Sequence, residues 1–169
     1  MNPSAEIIMG IDPGTLVTGY GIILADGNRY TPLDYGCITP PAKFKLSERY
    51  EVIYDSVNQL IEKHRPTVLV IETQFIGKNV NSILKLTMVR GIIMIAAKKN
   101  GVAIYEYGPK QAKKAVVGHG SASKFQVQGM VQRLLNLGAI PQPDDAADAL
   151  ALAICYAQHA IFLRPAHEI

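Results

Sequence analysis

The stretch Glu6-Ile7-Ile8-Met9-Gly10-Ile11-Asp12-Pro13-Gly14 decides how the rest of the chain is read. Ile7 to Ile11 is an apolar run with the composition of a buried strand. It stops on a single carboxylate, followed by a Pro-Gly turn. Burying a carboxylate is costly unless a cation pairs with it. At a strand end, Asp12 stands at the edge of a sheet, where its charge can face a metal or a phosphate. Working outward, Val17 to Ala25 reads as the hairpin partner, with Gly19 and Gly21 leaving room for close approach of backbone or ligand. Arg29 to Ile38 follows the Asp26-Gly27-Asn28 turn as a third strand. Thr67 to Ile71 is the most central strand by its β-branched content, and it too ends on an acid, Glu72.

The intervening segments carry helical spacing. From Lys43 to His64, the apolar positions Leu46, Tyr50, Ile53, Val57, Leu60 and Ile61 recur every three or four residues, and Pro66 ends the run. A polar loop at Gly77-Lys78-Asn79 precedes a helix from Val80 to Lys99. Its second half, Met88 to Ala97, is apolar nearly all round, so it is expected to be buried on several sides or to serve a dimer contact. Val102 to Tyr107 is a fifth strand. Pro109 to Val117 reads as a basic helix. Ser123 and Gln126 form a capping box ahead of the apolar face Val127, Met130, Val131, Leu134 and Leu135. A last helix runs from Asp144 or Asp145 to Leu163, with alanines small enough to lie tight against a sheet. The whole, residues 1–169, reads as one α/β domain.

At 169 residues, 49% hydrophobic and 18% charged, the chain suits a compact core and excludes a disordered segment. No apolar run is read as a membrane span, because Arg90 interrupts the greasiest stretch. No signal peptide is read at the N-terminus. Cys37 and Cys155 lack metal spacing and read as reduced, buried thiols of a cytoplasmic protein. The net charge of +3 is unevenly spread: residues 73–143 hold ten Lys/Arg against one acid, +9, and the remainder holds seven against thirteen acids, −6. That asymmetry points to a polyanion-binding region, which includes Lys78, Lys110, Lys113, Lys114 and Lys124. His64, His159 and His167 read as surface residues, and glycine-flanked His119 as a backbone or phosphate contact.

Asp12, Glu72, Asp145 and Asp148 are the acids that can meet. Two end strands, and the last two, three residues apart, leave one face of a helix's first turn. A cluster of oxygen ligands selects hard cations, Mg²⁺ or Mn²⁺. Each acid also has an ordinary structural reading. Asp at a helix start complements the macrodipole, Asp before Pro-Gly forms turns, and Glu72 has lysines to pair with. Asp144 stands beside Asp145 as a second candidate.

Four segments carry a resemblance. They are Gly10-Ile11-Asp12-Pro13-Gly14-Thr15 with Thr18-Gly19-Tyr20-Gly21; Ile71-Glu72-Thr73-Gln74-Phe75; Val116 to Lys124; and Asp145-Ala146-Ala147-Asp148-Ala149-Leu150-Ala151. In that order they are similar to the RuvC family of bacterial Holliday-junction resolvases. Thr73 and Gln74 depart from the family's commoner Glu-Gln-Val-Phe form. The resemblance implies a ribonuclease H-like mixed five-stranded sheet flanked by helices on both faces. It implies a homodimer that cuts symmetric strands of a four-way DNA junction in recombination and repair, with RuvA and RuvB as branch-migration partners. It also implies two Mg²⁺ per active site, with Mn²⁺ substituting. By position, Asp12, Glu72, Asp145 and Asp148 would be catalytic metal ligands, with Asp12 shared. Lys113 and Lys124 would lie near the scissile phosphate, and Phe75 at the junction centre. Asp-x-Gly-Thr with a following Gly-x-Gly also resembles the phosphate loop of actin-like ATPases and sugar kinases, but 169 residues are too few for their two domains.

Overall fold

The computed structural model describes residues 5–73, 79–162, 168 and 169. The strands are β1 (Glu6–Asp12), β2 (Thr18–Asp26), β3 (Arg29–Ile38), β4 (Val68–Glu72) and β5 (Ala103–Tyr107). The helices are α1 (Leu46–His64), α2 (Val80–Lys99), α3 (Pro109–Val117), α4 (Lys124–Leu134) and α5 (Asp144–Phe162). The strands form one five-stranded sheet in the order β3-β2-β1-β4-β5. β1 and β3 run antiparallel to β2, whereas β1, β4 and β5 are parallel. Element type follows the pattern read from the sequence, with ends shifted by a few residues at most. The largest shift is at α1, which starts at Leu46 after an extended Lys45 whose N–H donates to Glu48 Oε2 at 2.6 Å.

Side-chain alternation along each strand divides the core into two layers. Met9, Ile11, Ile22, Leu69, Ile71 and Ile104 face α1 and α2, where they meet Ile53, Val57, Ile61, Val89 and Ile93. Ile8, Ile23, Val68 and Val70 face the opposite way, toward α3, α4 and α5. On that side Leu150, Leu152 and Ile154 of α5 are fully buried. Each contributes about 1.5–3 kcal/mol relative to exposure. The expected helix-flanked, mixed α/β architecture is therefore present, with helices on both faces.

The alanines of α5 let it lie against the sheet, and glycines on the strands complete the fit. A Cβ on Gly10 would stand 2.0 Å from the Ala149 carbonyl oxygen, and one on Gly19 would stand 2.1 Å from that of Asp145. The room foreseen at Gly19 and Gly21 is thus filled by α5 itself.

Several expectations are corrected. α2 is not buried on several sides. Val89, Ile93, Ala96 and Ala97 face the core, but Val80, Leu84, Met88 and Ile95 are each more than half exposed. By length and composition α2 would also suffice to cross a membrane, a correction to the reading that no apolar run is a candidate span. One side of it nevertheless packs on α1 and β5. Cys155 is buried but Cys37, on the edge strand β3, is only half-buried. His64 is not a surface residue: its Nε2 lies 2.9 Å from Asp34 Oδ2, which Lys63 Nζ also approaches at 2.9 Å. His159 is half-buried and stacks on Tyr107 with ring centroids 5.1 Å apart. Phe75, Lys78 and His167 lie outside the described residues.

Candidate active site

Strand parity and register bring the first two acids together. Asp12 shares the parity of Ile8, which faces α5, and Glu72 shares that of Val68 and Val70. The parallel register pairs Ile11 with Ile71, so Asp12 and Glu72 follow as neighbours at the ends of adjacent strands. Their carboxyls interact directly, and the contact raises the Asp12 carboxyl while lowering that of Glu72. Gly14 and Thr18 hold the turn behind Asp12. The buried Thr18 hydroxyl donates to the Gly14 carbonyl at 2.7 Å and accepts from the Gly14 N–H at 3.2 Å. Sequence reasoning missed this tie, although a Thr four residues beyond an Asp-Pro-Gly turn was a visible signal.

α5 brings the remaining acids. Its first turn starts over Gly19, which pairs with Asp12 across the hairpin. Asp148 lines one cleft with Asp12, Glu72, Lys113 and Lys124, a space of about 280 Å³. Asp145 does not line that cleft. It sits at the margin over Gly19, where its charge still acts on Asp12, Asp148 and the Cys37 thiol. Asp144 has a different role: its Oδ1 accepts from the Gln128 amide at 2.6 Å, and its Oδ2 lies 3.9 Å from Lys124 Nζ. Lys124 Nζ is also 3.8 Å from Asp148 Oδ2, so it sits between the two acids.

The electrostatics are those of crowded acids in a partly dry cleft. Burial, followed by the charges of Glu72, Asp148 and Asp145, pushes the Asp12 carboxyl from 3.8 up to about 8. Burial and the Asp148 charge raise Glu72, while Arg90 and Lys113 oppose the rise. Asp148 is also raised, by burial first, with Lys124 and Lys113 opposing. Such a set holds negative charge only with a cation present. Its donors are all oxygen, which suits Mg²⁺ or Mn²⁺. Among the described residues, no three His, Cys, Asp or Glu side chains form a ready-made metal cage. The contrast with the carboxylate-lined cleft has a physical reason. Mg²⁺ keeps several waters and needs only one or two carboxylates plus substrate phosphate oxygens, so a tight cage is not required and the set fits that ion.

Lys110, Lys114 and His119 stand outside the cleft lining and are exposed, except that His119 Nδ1 lies 3.2 Å from Ser121 Oγ. Arg90 reads in the sequence as one of the ten cations of residues 73–143 and as an interruption of an apolar run, with no place at the site. Its side chain is 12% exposed, and it donates to the Glu72 carbonyl and pairs with Glu106. A lone cation inside an apolar helical stretch was the signal for it.

The family model described as "Crossover junction endodeoxyribonuclease RuvC" matches residues 8–156. The chain is 62% identical over 162 residues to the crossover junction endodeoxyribonuclease RuvC of Protochlamydia amoebophila, covering 96% of each chain. It is 51% identical over 150 residues to that of Ruminiclostridium cellulolyticum, covering 89% of this chain and 90% of the relative. Among solved structures it is similar to Thermus thermophilus RuvC in complex with Holliday junction substrate. The TM-score is 0.87 and the identity 32%, and the match covers 92% of this chain and 95% of that one.

Proposed function

The chain belongs to the RuvC family of crossover junction endodeoxyribonucleases, with its ribonuclease H-like fold, and on that premise we propose that it resolves Holliday junctions by metal-assisted hydrolysis of symmetric phosphodiester bonds. The observation that carries the site assignment is the convergence of Asp12, Glu72 and Asp148 with Lys113 and Lys124 in one cleft at the parallel strand ends. Asp12, Glu72, Asp148 and Asp145 at the margin would hold Mg²⁺, with Mn²⁺ substituting. When bound, two such ions stabilise the attacking and leaving oxygens of an in-line phosphoryl displacement. Asp12, in contact with Glu72 and under the charges of Asp148 and Asp145, would be one of the ligands, its carboxyl ionising when the cation is held.

Lys113 and Lys124 supply fixed positive charge where the scissile phosphate enters, offsetting charge that grows in the transition state. Salt bridges to Asp148 and Asp144 hold Lys124 at the cleft before DNA arrives. Lys110, Lys114 and His119, on the exposed surface around α3 and the loop after it, extend the positive track for the junction backbone, which reads no sequence. Phe75 and Lys78 remain proposed junction contacts on the strength of the family resemblance.

Cutting two strands symmetrically requires two active sites, so the working unit is a homodimer. The exposed apolar row Leu84, Met88 and Ile95, continuous with a groove lined by Tyr50, Tyr54, Ile92 and Ile95, supports that reading. RuvA and RuvB as partners, and a cytoplasmic location beside the DNA, belong to the same proposal.

The deciding experiment compares nicking of a four-way junction with nicking of plain duplex, each with Mg²⁺ and with EDTA. The expected result is Mg²⁺-dependent, paired nicks confined to the junction, with Asp12→Asn binding the junction but leaving it uncut. Equal cutting of duplex, or undiminished cutting by Asp12→Asn, overturns the proposal.

A further inference from the structure

Arg90 stands out because the reaction as described does not use it. It is the only cation between Met88 and Ala97 of α2, and its side chain is nearly excluded from solvent. A buried guanidinium is costly unless its donors are satisfied. Here they are satisfied in a particular direction. One terminal nitrogen donates to the backbone carbonyl of Glu72, and the other donates to the Glu106 carboxylate on β5. The fork therefore spans the ends of two parallel strands, at the residue that carries a cleft carboxylate. The next residue is pinned as well, because the Thr73 N–H donates to the Tyr107 carbonyl at 2.9 Å. Arg90 lies outside the cleft lining, which places it behind Glu72.

We propose that Arg90 is a positioning residue for Glu72: its two-pronged contact with the Glu72 carbonyl and with Glu106 sets the end of β4, so that the Glu72 carboxylate is presented to the metal. The inference rests on the metal-dependent reading of the cleft. The rigid planar fork matters as well as the charge. A lysine at 90 retains the cation but cannot hold a carbonyl and a carboxylate in a fixed plane. The strand end then gains freedom, and ordering it must draw on the free energy of metal binding. Partners that orient a metal ligand are typically worth on the order of 10–100-fold in metal affinity or activity.

The test uses the full chain and three variants: Arg90→Lys, Arg90→Gln and Glu106→Gln. Mn²⁺ binding to the DNA-free protein is titrated by calorimetry or paramagnetic resonance. Junction affinity is measured in Ca²⁺, and nicking is followed against Mg²⁺ concentration. For Arg90→Lys, the expected result is Mn²⁺ affinity down about tenfold and a matching rise in half-saturating Mg²⁺. The plateau nicking rate at high Mg²⁺ returns to within a few-fold of wild type, and junction affinity is unchanged within about twofold. Arg90→Gln is worse than Arg90→Lys, and Glu106→Gln shifts the same parameters by less. Glu106→Gln leaves the Glu72 carbonyl contact in place, so it tests the clamp even if the Arg90 variants fail to fold.

Unchanged Mn²⁺ affinity in a folded Arg90→Lys overturns the proposal. So does a loss confined to junction affinity, which would make Arg90 a DNA contact, or a lowered plateau with no shift in metal dependence. Failure of the wild type itself to nick a junction would refute the proposed function instead, and the Mn²⁺ titration would still decide the role of Arg90.

Discussion

Asp12→Asn removes a charge while keeping shape, and its effect on stability runs opposite to its effect on activity. In the folded chain the Asp12 carboxyl is pushed from 3.8 up to about 8, by burial first and then by Glu72, Asp148 and Asp145. In the unfolded chain it titrates at its ordinary value. Between those two values the folded state keeps a proton that the unfolded state has released, so stability falls as pH rises through that window. The gap between the unfolded value and pH 7 corresponds to a ceiling of about 4 kcal/mol. Water in the cleft and relaxation of the neighbouring acids reduce this to roughly 2 kcal/mol, given the effective dielectric of such sites. Asparagine cannot ionise, so the variant keeps what the wild type loses. For a chain of this size the expected gain is roughly 4–8 °C in Tm. Thermal unfolding in EDTA checks this at pH 7.5 and again at pH 4.5, less than one unit above the ordinary carboxyl value of 3.8, where the gain shrinks to roughly a fifth. A variant no more stable than wild type at pH 7.5, or equally stabilised at both pH values, refutes the account of crowded, desolvated acids.

Further outcomes follow from the same geometry. Metal binding must displace the proton on Asp12, so Mn²⁺ affinity rises with pH up to about 8 and binding releases protons; calorimetry in buffers of different ionisation enthalpy measures the release. Lys113→Ala and Lys124→Ala lower the nicking rate by on the order of 100-fold while junction affinity falls only a few-fold; a pure loss of salt-dependent affinity would make either residue a backbone contact alone. Gly19→Ala drives a methyl into the Asp145 carbonyl, 2.1 Å from the new Cβ, and destabilises by about 2 kcal/mol or more. Gly91→Ala on α2 meets nothing within 4 Å and is neutral or stabilising by up to about 1 kcal/mol; unfolding midpoints in denaturant separate the two glycines. Ile95→Glu on the exposed face of α2 converts dimer to monomer by light scattering and removes paired nicking, whereas an unchanged mass would place the dimer contact elsewhere.

Much was legible before any coordinates because its causes are local. Alternation in β1 and β4, three-to-four spacing in α1, the Ser123–Gln126 capping box and the alanines of α5 each depend on residues near in sequence. Both boxed hydrogen bonds at α4 are present, at 2.8 and 3.2 Å. Asp12 and Glu72 were legible as strand-ending acids for the same reason. Exposure of α2 was misjudged because hydrophobicity along a helix does not say how many sides have neighbours, and only one side of it has. His64 was misjudged because its partner, Asp34, lies thirty residues away on an edge strand.

By itself the sequence determined the element types, the acids at two strand ends and at the start of α5, and the concentration of basic residues between 73 and 143. These depend on periodicity and composition, which a chain carries whether or not it is folded. Only the tertiary structure decided which acids share the cleft. Asp12 and Glu72 meet because β1 and β4 pair in parallel with matching parity, a register that neither strand specifies alone. Asp148 lines the cleft and Asp145 sits at its margin because Gly10 and Gly19 let the backbone of α5 come within contact of the sheet. Asp144 is set apart by a hydrogen bond to Gln128, sixteen residues away, and Arg90 is set behind Glu72 by a helix packed across β5. Each of these depends on a distance between segments far apart in the chain, fixed only when the two core layers close on the sheet.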